Sequence, residues 1–169
     1  MYPWFLGPSP IPMTVKVAFV CLGNICRSPM AEAVFADTVK QAGLGDVVTT
    51  DSFGTGAYHV GEQPDRRSAA QCRKHNVPVN HRAQQIFPHH FTKFDYILAM
   101  DESNLRNLER LRPKNSTARL QLFGDYRGDS KFRRIVDDPY YGGDAGFAYN
   151  FEQCRAFSKN LLDQIEAEL

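Results

Sequence analysis

The stretch Val17–Phe35, VAFVCLGNICRSPMAEAVF, constrains this chain more than any other. Val15 to Val20 is a short valine-rich apolar run, the pattern of a strand buried on both faces. Ser28 and Pro29 then supply a helix start, with serine as a cap and proline in the first helical position. Ala31, Val34, Phe35, Thr38 and Ala42 recur at helical spacing, and Gly43 is placed to end the helix. Two cysteines, Cys21 and Cys26, and an arginine, Arg27, therefore fall in a tight loop between a strand end and a helix start.

The rest of the chain repeats that alternation. Strands fit DVVTTDS (46–52), FDYILAM (94–100) and ARLQLF (118–123), and helices fit 65–75 and DESNLRNLERL, closed by Pro113. A glycine- and aspartate-rich irregular segment runs through VDDPYYGG. Phe147, Phe151, Cys154, Phe157, Leu161 and Ile165 then advance by three or four residues as the apolar stripe of a final helix. The prediction is one α/β domain over residues 15–169. It is a doubly wound four-stranded parallel sheet with helices on both faces and flavodoxin-like strand order, its ligand at the carboxyl ends of the strands.

Residues 1–14, with four of the ten prolines, read as a disordered or extended tail. With 20 basic and 19 acidic residues the chain carries a net charge of +1, which gives no sign of a nucleic-acid or membrane footprint. Four scattered cysteines argue against a disulfide framework and for a reducing, cytoplasmic setting.

A loop entering a helix directs peptide N–H groups inward, and the helix N-terminus adds about half a positive charge. A phosphate dianion is the natural guest. Gly23 admits the guest close to the backbone, and Asn24 tolerates a left-handed conformation. The planar fork of Arg27 suits two phosphate oxygens. The same field favours a thiolate at Cys21, to which Ser28 can donate a hydrogen bond. A nucleophile under a phosphate cradle implies phosphoryl transfer through a cysteinyl-phosphate.

These residues, VCLGNICRSPMAE together with VDDPYYGG, resemble the low-molecular-weight protein tyrosine phosphatase family, as do Asp51–Ser52, FDYILAMDESNL and the closing helix. The resemblance covers nearly everything from Val15 onward. It implies a phosphatase hydrolysing phosphotyrosine and small aryl phosphates without metal or cofactor, acting on phosphotyrosine proteins and inhibited by phosphate and other oxyanions. A monomer or weak self-association is expected. Cys21 corresponds to the nucleophile, Arg27 to the phosphate-binding arginine, and Asp138, before Pro139, to the general acid; Asp137 is set aside by the register of DPYY alone. Residues Leu22 to Ser28 would wrap the phosphate. Asn24, Ser28, Ser52 and His81 match a supporting hydrogen-bond network, and Cys26 a redox partner for Cys21. Leu22, Ile25, Tyr58 and Tyr140 would wall an apolar pocket, Ile25 standing where arginine-phosphate relatives carry threonine. Tyr140 and Tyr141 resemble phosphorylation sites. Phe53 departs from the small residue usual after DS, which bears on the pocket near Ser52.

Other readings remain on the residues alone. Cys21, Cys26, Cys72 and His75 have the composition of a zinc set. Arsenate reductase shares the fold and loop but needs two further relay cysteines. A phosphocarrier domain uses a strand-end cysteine with no distant acid, and a silent phosphotyrosine-binding module would not need the cysteine, arginine and aspartate together. The larger tyrosine phosphatases place the acid before the loop, the reverse of the order here. Cys72 and Cys154 read as core residues, and His75, His89 and His90 as loop or surface residues.

Overall fold

The computed structural model describes residues 13–169. The stretch read as a tail lies outside them, save for Met13 and Thr14. Four strands, β1 (Val15–Cys21), β2 (Val48–Gly54), β3 (Tyr96–Ala99) and β4 (Arg119–Leu122), form one sheet in the order β2-β1-β3-β4. Every pairing is parallel, with Cys21 opposite Gly54 and Val20 opposite Ala99. The helices are α1 (Arg27–Gln41), α2 (Arg66–Lys74), α3 (Glu102–Leu111) and α4 (Asp144–Glu168). The doubly wound flavodoxin-like architecture is as expected.

Alternation along β1 divides the core. Val17, Phe19 and Cys21 face a layer with α1 and α4, in which Phe19 packs edge-to-face on Phe35 and Phe123. Ala18 and Val20 face the opposite layer, with Phe53, Phe91, Ile97 and Leu108. The stripe Phe147, Phe151, Cys154, Phe157, Leu161 and Ile165 is buried as its spacing implies.

Details differ from the sequence reading, β2 running Val48–Gly54 where 46–52 is expected and β3 only Tyr96–Ala99 within 94–100. Helix α1 begins at Arg27 with Cys26 as its N-cap and without a side-chain cap. Ser28 is inside the first turn, its hydroxyl drawn to the Cys21 sulfur instead of a backbone N–H. The run 118–123 pairs only over Arg119–Leu122, and Phe123–Tyr126 coils into a 3₁₀ turn. Gly43 ends α1 with φ of 73°, a conformation that suits glycine.

Candidate active site

At the carboxyl end of β1 the chain turns through residues 22–26 into α1. The carbonyls of this loop are claimed from outside it. Those of Cys21 and Leu22 accept from the N–H groups of Thr55 and Gly56, both at 2.9 Å. That of Ile25 accepts from Asp65 N at 2.7 Å, and that of Cys26 from Ser68 Oγ at 2.7 Å. Carbonyls held outward leave the N–H groups facing the hollow, and the uncapped helix start adds its positive end, with no acidic residue in the first turn. The sulfur of Cys21 lies inside this ring, accepting from Asn24 N at 3.3 Å and lying 3.0 Å from Ser28 Oγ.

Asn24 sits at φ of 58° and is buried. Its Nδ2 donates to Ser28 Oγ at 2.8 Å and Ser52 Oγ at 3.0 Å, while its Oδ1 accepts from His81 Nε2 at 2.7 Å and Gln84 N at 2.9 Å. Behind it, Ser52 Oγ donates to Glu32 Oε1 at 2.6 Å, and that oxygen lies 3.2 Å from His81 Nδ1. The four side chains close a ring, Asn24 to Ser52 to Glu32 to His81 and back. Every link is satisfied when one proton sits between Glu32 and His81. Burial disfavours charge on both groups, raising the Glu32 carboxyl to about 7 and lowering the His81 imidazole.

Arg27 is buried, and its Nη1 is spent on Asp101 Oδ2 at 2.6 Å and the Val136 carbonyl at 3.0 Å. That leaves the Nε–Nη2 edge, without a hydrogen-bond partner among the described residues, as the free fork. Asp138 stands across from it, Oδ2 at 3.8 Å from Nη2, with its Oδ1 accepting from Tyr140 N at 3.0 Å. Asp137 is turned away into a pair with Arg133 at 3.1 Å. Geometry thus separates two adjacent aspartates that composition could not.

Cys21, Arg27 and Asp138 open on one pocket of about 420 Å³, together with Leu22, Ile25, Tyr58 and Tyr140. His59, which the sequence does not single out, also lines it, as does Tyr141, which the resemblance marks only as a phosphorylation site. Gly23 has a second use here, since a Cβ would come within 2.9 Å of the His59 ring. Gly54 lets β2 end against the loop, where a Cβ would stand 2.8 Å from the Leu22 carbonyl oxygen. Phe53 does not reach the pocket; its ring points to the opposite layer, on Phe94 and His90.

Cys26 is a free thiol whose pKa burial pushes up, and Cys72 and Cys154 are free thiols in the core. His75, read as a surface residue, stacks on Phe151 with ring centroids 4.1 Å apart. The zinc set of Cys21, Cys26, Cys72 and His75 is not assembled. Among the described residues the one group with ligand atoms within 4.8 Å of each other is Glu32, Asp51 and His81, already engaged in the ring and its borders. No helix of the described residues is long and apolar enough to cross a membrane.

The family model for low molecular weight phosphotyrosine protein phosphatase matches residues 16–169. The Saccharomyces cerevisiae protein of that name is 49% identical over 150 residues, which cover 88% of this chain and 93% of the yeast protein. A protein tyrosine phosphatase from Entamoeba histolytica, solved with Hepes in its active site, superposes with a TM-score of 0.87 at 34% identity, covering 92% of this chain and 99% of that one. A Drosophila arginine phosphatase superposes with a TM-score of 0.84 at 36% identity, covering 90% and 98%.

Proposed function

The chain belongs to the low molecular weight phosphotyrosine protein phosphatase family and is a hydrolase of phosphotyrosine, and from this we propose that Cys21, Arg27 and Asp138 carry its chemistry through a cysteinyl-phosphate. The thiolate of Cys21 attacks phosphorus, and the aryl oxygen–phosphorus bond breaks. Asp138, entering as the acid, gives its proton to the departing phenolate, a poor leaving group unassisted. The resulting carboxylate takes a proton from water, whose oxygen attacks phosphorus. The phosphorus–sulfur bond breaks, inorganic phosphate leaves, and the thiolate returns. The Arg27 fork and the loop N–H groups hold the equatorial oxygens as charge redistributes.

The observation that carries this reading is the placement of Cys21, Asp138 and the free guanidinium edge of Arg27 in one pocket, with Asp138 Oδ2 3.8 Å from Nη2. The apolar walls Leu22 and Ile25, with the rings of Tyr58 and Tyr140, suit an aryl group better than the charged guanidine of phosphoarginine. Substrates on this reading are phosphotyrosine proteins. Tyr141 is 95% exposed and Tyr140 is exposed at the rim, accessible to a kinase. Cys26, the last residue of the loop, is the candidate partner for a protective disulfide with Cys21.

Kinetics on a phosphotyrosine peptide, p-nitrophenyl phosphate and phosphoarginine test the reading, beside Cys21→Ser. Asp138→Ala is expected to slow phosphotyrosine hydrolysis strongly and p-nitrophenyl phosphate less, since p-nitrophenolate departs without a proton; Asp137→Ala spares both. Equal loss on both substrates in Asp138→Ala, or turnover by Cys21→Ser, rejects it.

A further inference from the structure

A second cleft, of about 200 Å³, lies between α2 and residues 79–82, and shares no lining residue with the catalytic pocket. Helix α2 presents Arg66, Ala69 and Arg73 to it at positions i, i+3 and i+7, one helical face. Asn80, His81 and Arg82 form the other wall. Ala69 is buried at the floor, and its methyl leaves the space between the arginines open.

No carboxylate lines this cleft. Among the described residues Arg66, Arg73 and Arg82 form no ion pair. The surrounding sequence sharpens the imbalance: residues 63–82 hold Arg66, Arg67, Arg73, Lys74 and Arg82 against one acid, Asp65, in a chain whose net charge is +1. Asp65 is itself committed to Arg67 at 3.1 Å. Three guanidinium groups around one hollow, with donors and no acceptors, repel each other until an anion enters.

We propose that this cleft is a second anion site, taking a compact phosphate-bearing anion and transmitting its presence to the catalytic loop. Guanidinium groups favour phosphate over neutral guests because their paired N–H donors match its charged oxygens. The volume suits one or two phosphate groups. Arg82 is anchored through Nη1 to the Gly61 carbonyl at 3.1 Å, which fixes one wall. The same wall continues into His81 and Gln84, whose Nε2 and backbone N both donate to Asn24 Oδ1. An anion bridging α2 and Arg82 therefore braces the segment that orients Asn24, and through it the loop around Cys21.

The test isolates the second cleft from the first. Cys21 is carboxymethylated with iodoacetate, which fills the catalytic loop, and inorganic pyrophosphate is titrated in while backbone and arginine side-chain NMR signals are followed. The expected result is saturable binding that moves Arg66, Asn80, Arg82 and Gln84, weakened about tenfold or more in the exposed-residue variant Arg66→Gln/Arg82→Gln, as loss of charged hydrogen bonds implies, with its melting temperature near the wild type. A phosphoserine peptide without phosphotyrosine is the second arm: tighter binding than pyrophosphate assigns the site to a protein segment, weaker binding to a free anion. Absence of saturable shifts in the blocked protein, or equal affinity in the double variant, overturns the proposal. Because the catalytic loop is blocked throughout, that failure leaves the phosphatase reading untouched.

Discussion

The sulfur of Cys21 and the hydroxyl oxygen of Ser28 lie 3.0 Å apart. Asn24 Nδ2 already donates to that hydroxyl at 2.8 Å, so the serine hydrogen is free for the sulfur, the Phe53 carbonyl at 3.3 Å being the weaker alternative. A hydrogen bond to a charged group contributes about 1.5–3 kcal/mol. It matters most when sulfur leaves phosphorus as a thiolate. Ser28→Ala is therefore expected to slow breakdown of the cysteinyl-phosphate more than its formation. Stopped-flow mixing with p-nitrophenyl phosphate should show a burst of nitrophenolate approaching one equivalent per enzyme, with kcat reduced about tenfold or more. A reduced kcat with no burst would place the loss in the first step.

Asp101 does two jobs that substitution can separate. Its Oδ1 caps α3 by accepting from Asn104 N at 2.8 Å, and its Oδ2 takes Arg27 Nη1 at 2.6 Å. Asparagine keeps a capping oxygen but removes the charge facing a buried guanidinium. Asp101→Asn is expected to be less stable than wild type without anion and to gain more in melting temperature from added phosphate, which supplies the missing negative charge. Asp101→Ala loses the cap as well, at a further cost of about 1 kcal/mol. Equal phosphate stabilisation of wild type and Asp101→Asn would show that the carboxylate does not tune the arginine.

These residues also show where the sequence was legible. Cys21, Asn24, Arg27 and Ser28 lie within eight positions and carry their chemistry in their spacing, and the fold followed from valine-rich runs alternating with helical stripes. Glu32 and Asp101 gave no such signal. One is a polar residue on a helix with ordinary periodicity, the other an ordinary cap, and both gain their roles from chain segments brought to them only by the sheet order. Gln84 contributes through its backbone N–H, which no side-chain pattern records. His59 enters the pocket because Gly23 has no Cβ, a relation between residues distant in sequence. Ser28 carries two readings in the sequence, a cap before proline and a donor to Cys21, and only the second holds, because the sulfur takes its hydroxyl.

The ring of Asn24, Ser52, Glu32 and His81 needs one proton between Glu32 Oε1 and His81 Nδ1, 3.2 Å apart. Burial raises the Glu32 carboxyl from 4.5 to about 7. A folded-state value above the unfolded one means the folded protein holds this proton more tightly. The stabilisation is therefore full below 4.5 and is lost as pH rises through about 7. The lowered His81 imidazole works the other way, its contribution growing as pH rises toward 6.5, so urea midpoints in wild type should fall only by the surplus of the Glu32 effect over it. Glu32→Gln, whose Oε1 can still accept from Ser52 without a titrating proton, should remove that fall. An unchanged slope in Glu32→Gln would assign the pH dependence to another group.

Arg67 ties the loop bearing Asp138 to α2. Its guanidinium is held by Asp65, with Nε to Oδ1 and Nη2 to Oδ2 both at 3.1 Å, and donates to the carbonyls of Tyr140 at 2.9 Å and Gly142 at 3.2 Å. The same plane lies 4.5 Å from the Phe147 ring centroid. Since Asp138 projects from the segment that these carbonyls fix, Arg67→Ala is expected to loosen the acid while leaving the thiolate in place. The kcat/KM for a phosphotyrosine peptide should drop about tenfold, the order expected when a catalytic group is displaced, whereas alkylation of Cys21 by iodoacetate should proceed at the wild-type rate. Lysine cannot span both carbonyls and the carboxylate from one ammonium, so Arg67→Lys should restore little of the activity. Loss of alkylation together with turnover would place the damage in the Cys21 loop, through the Asp65 N–H bond to Ile25, and not in the positioning of Asp138.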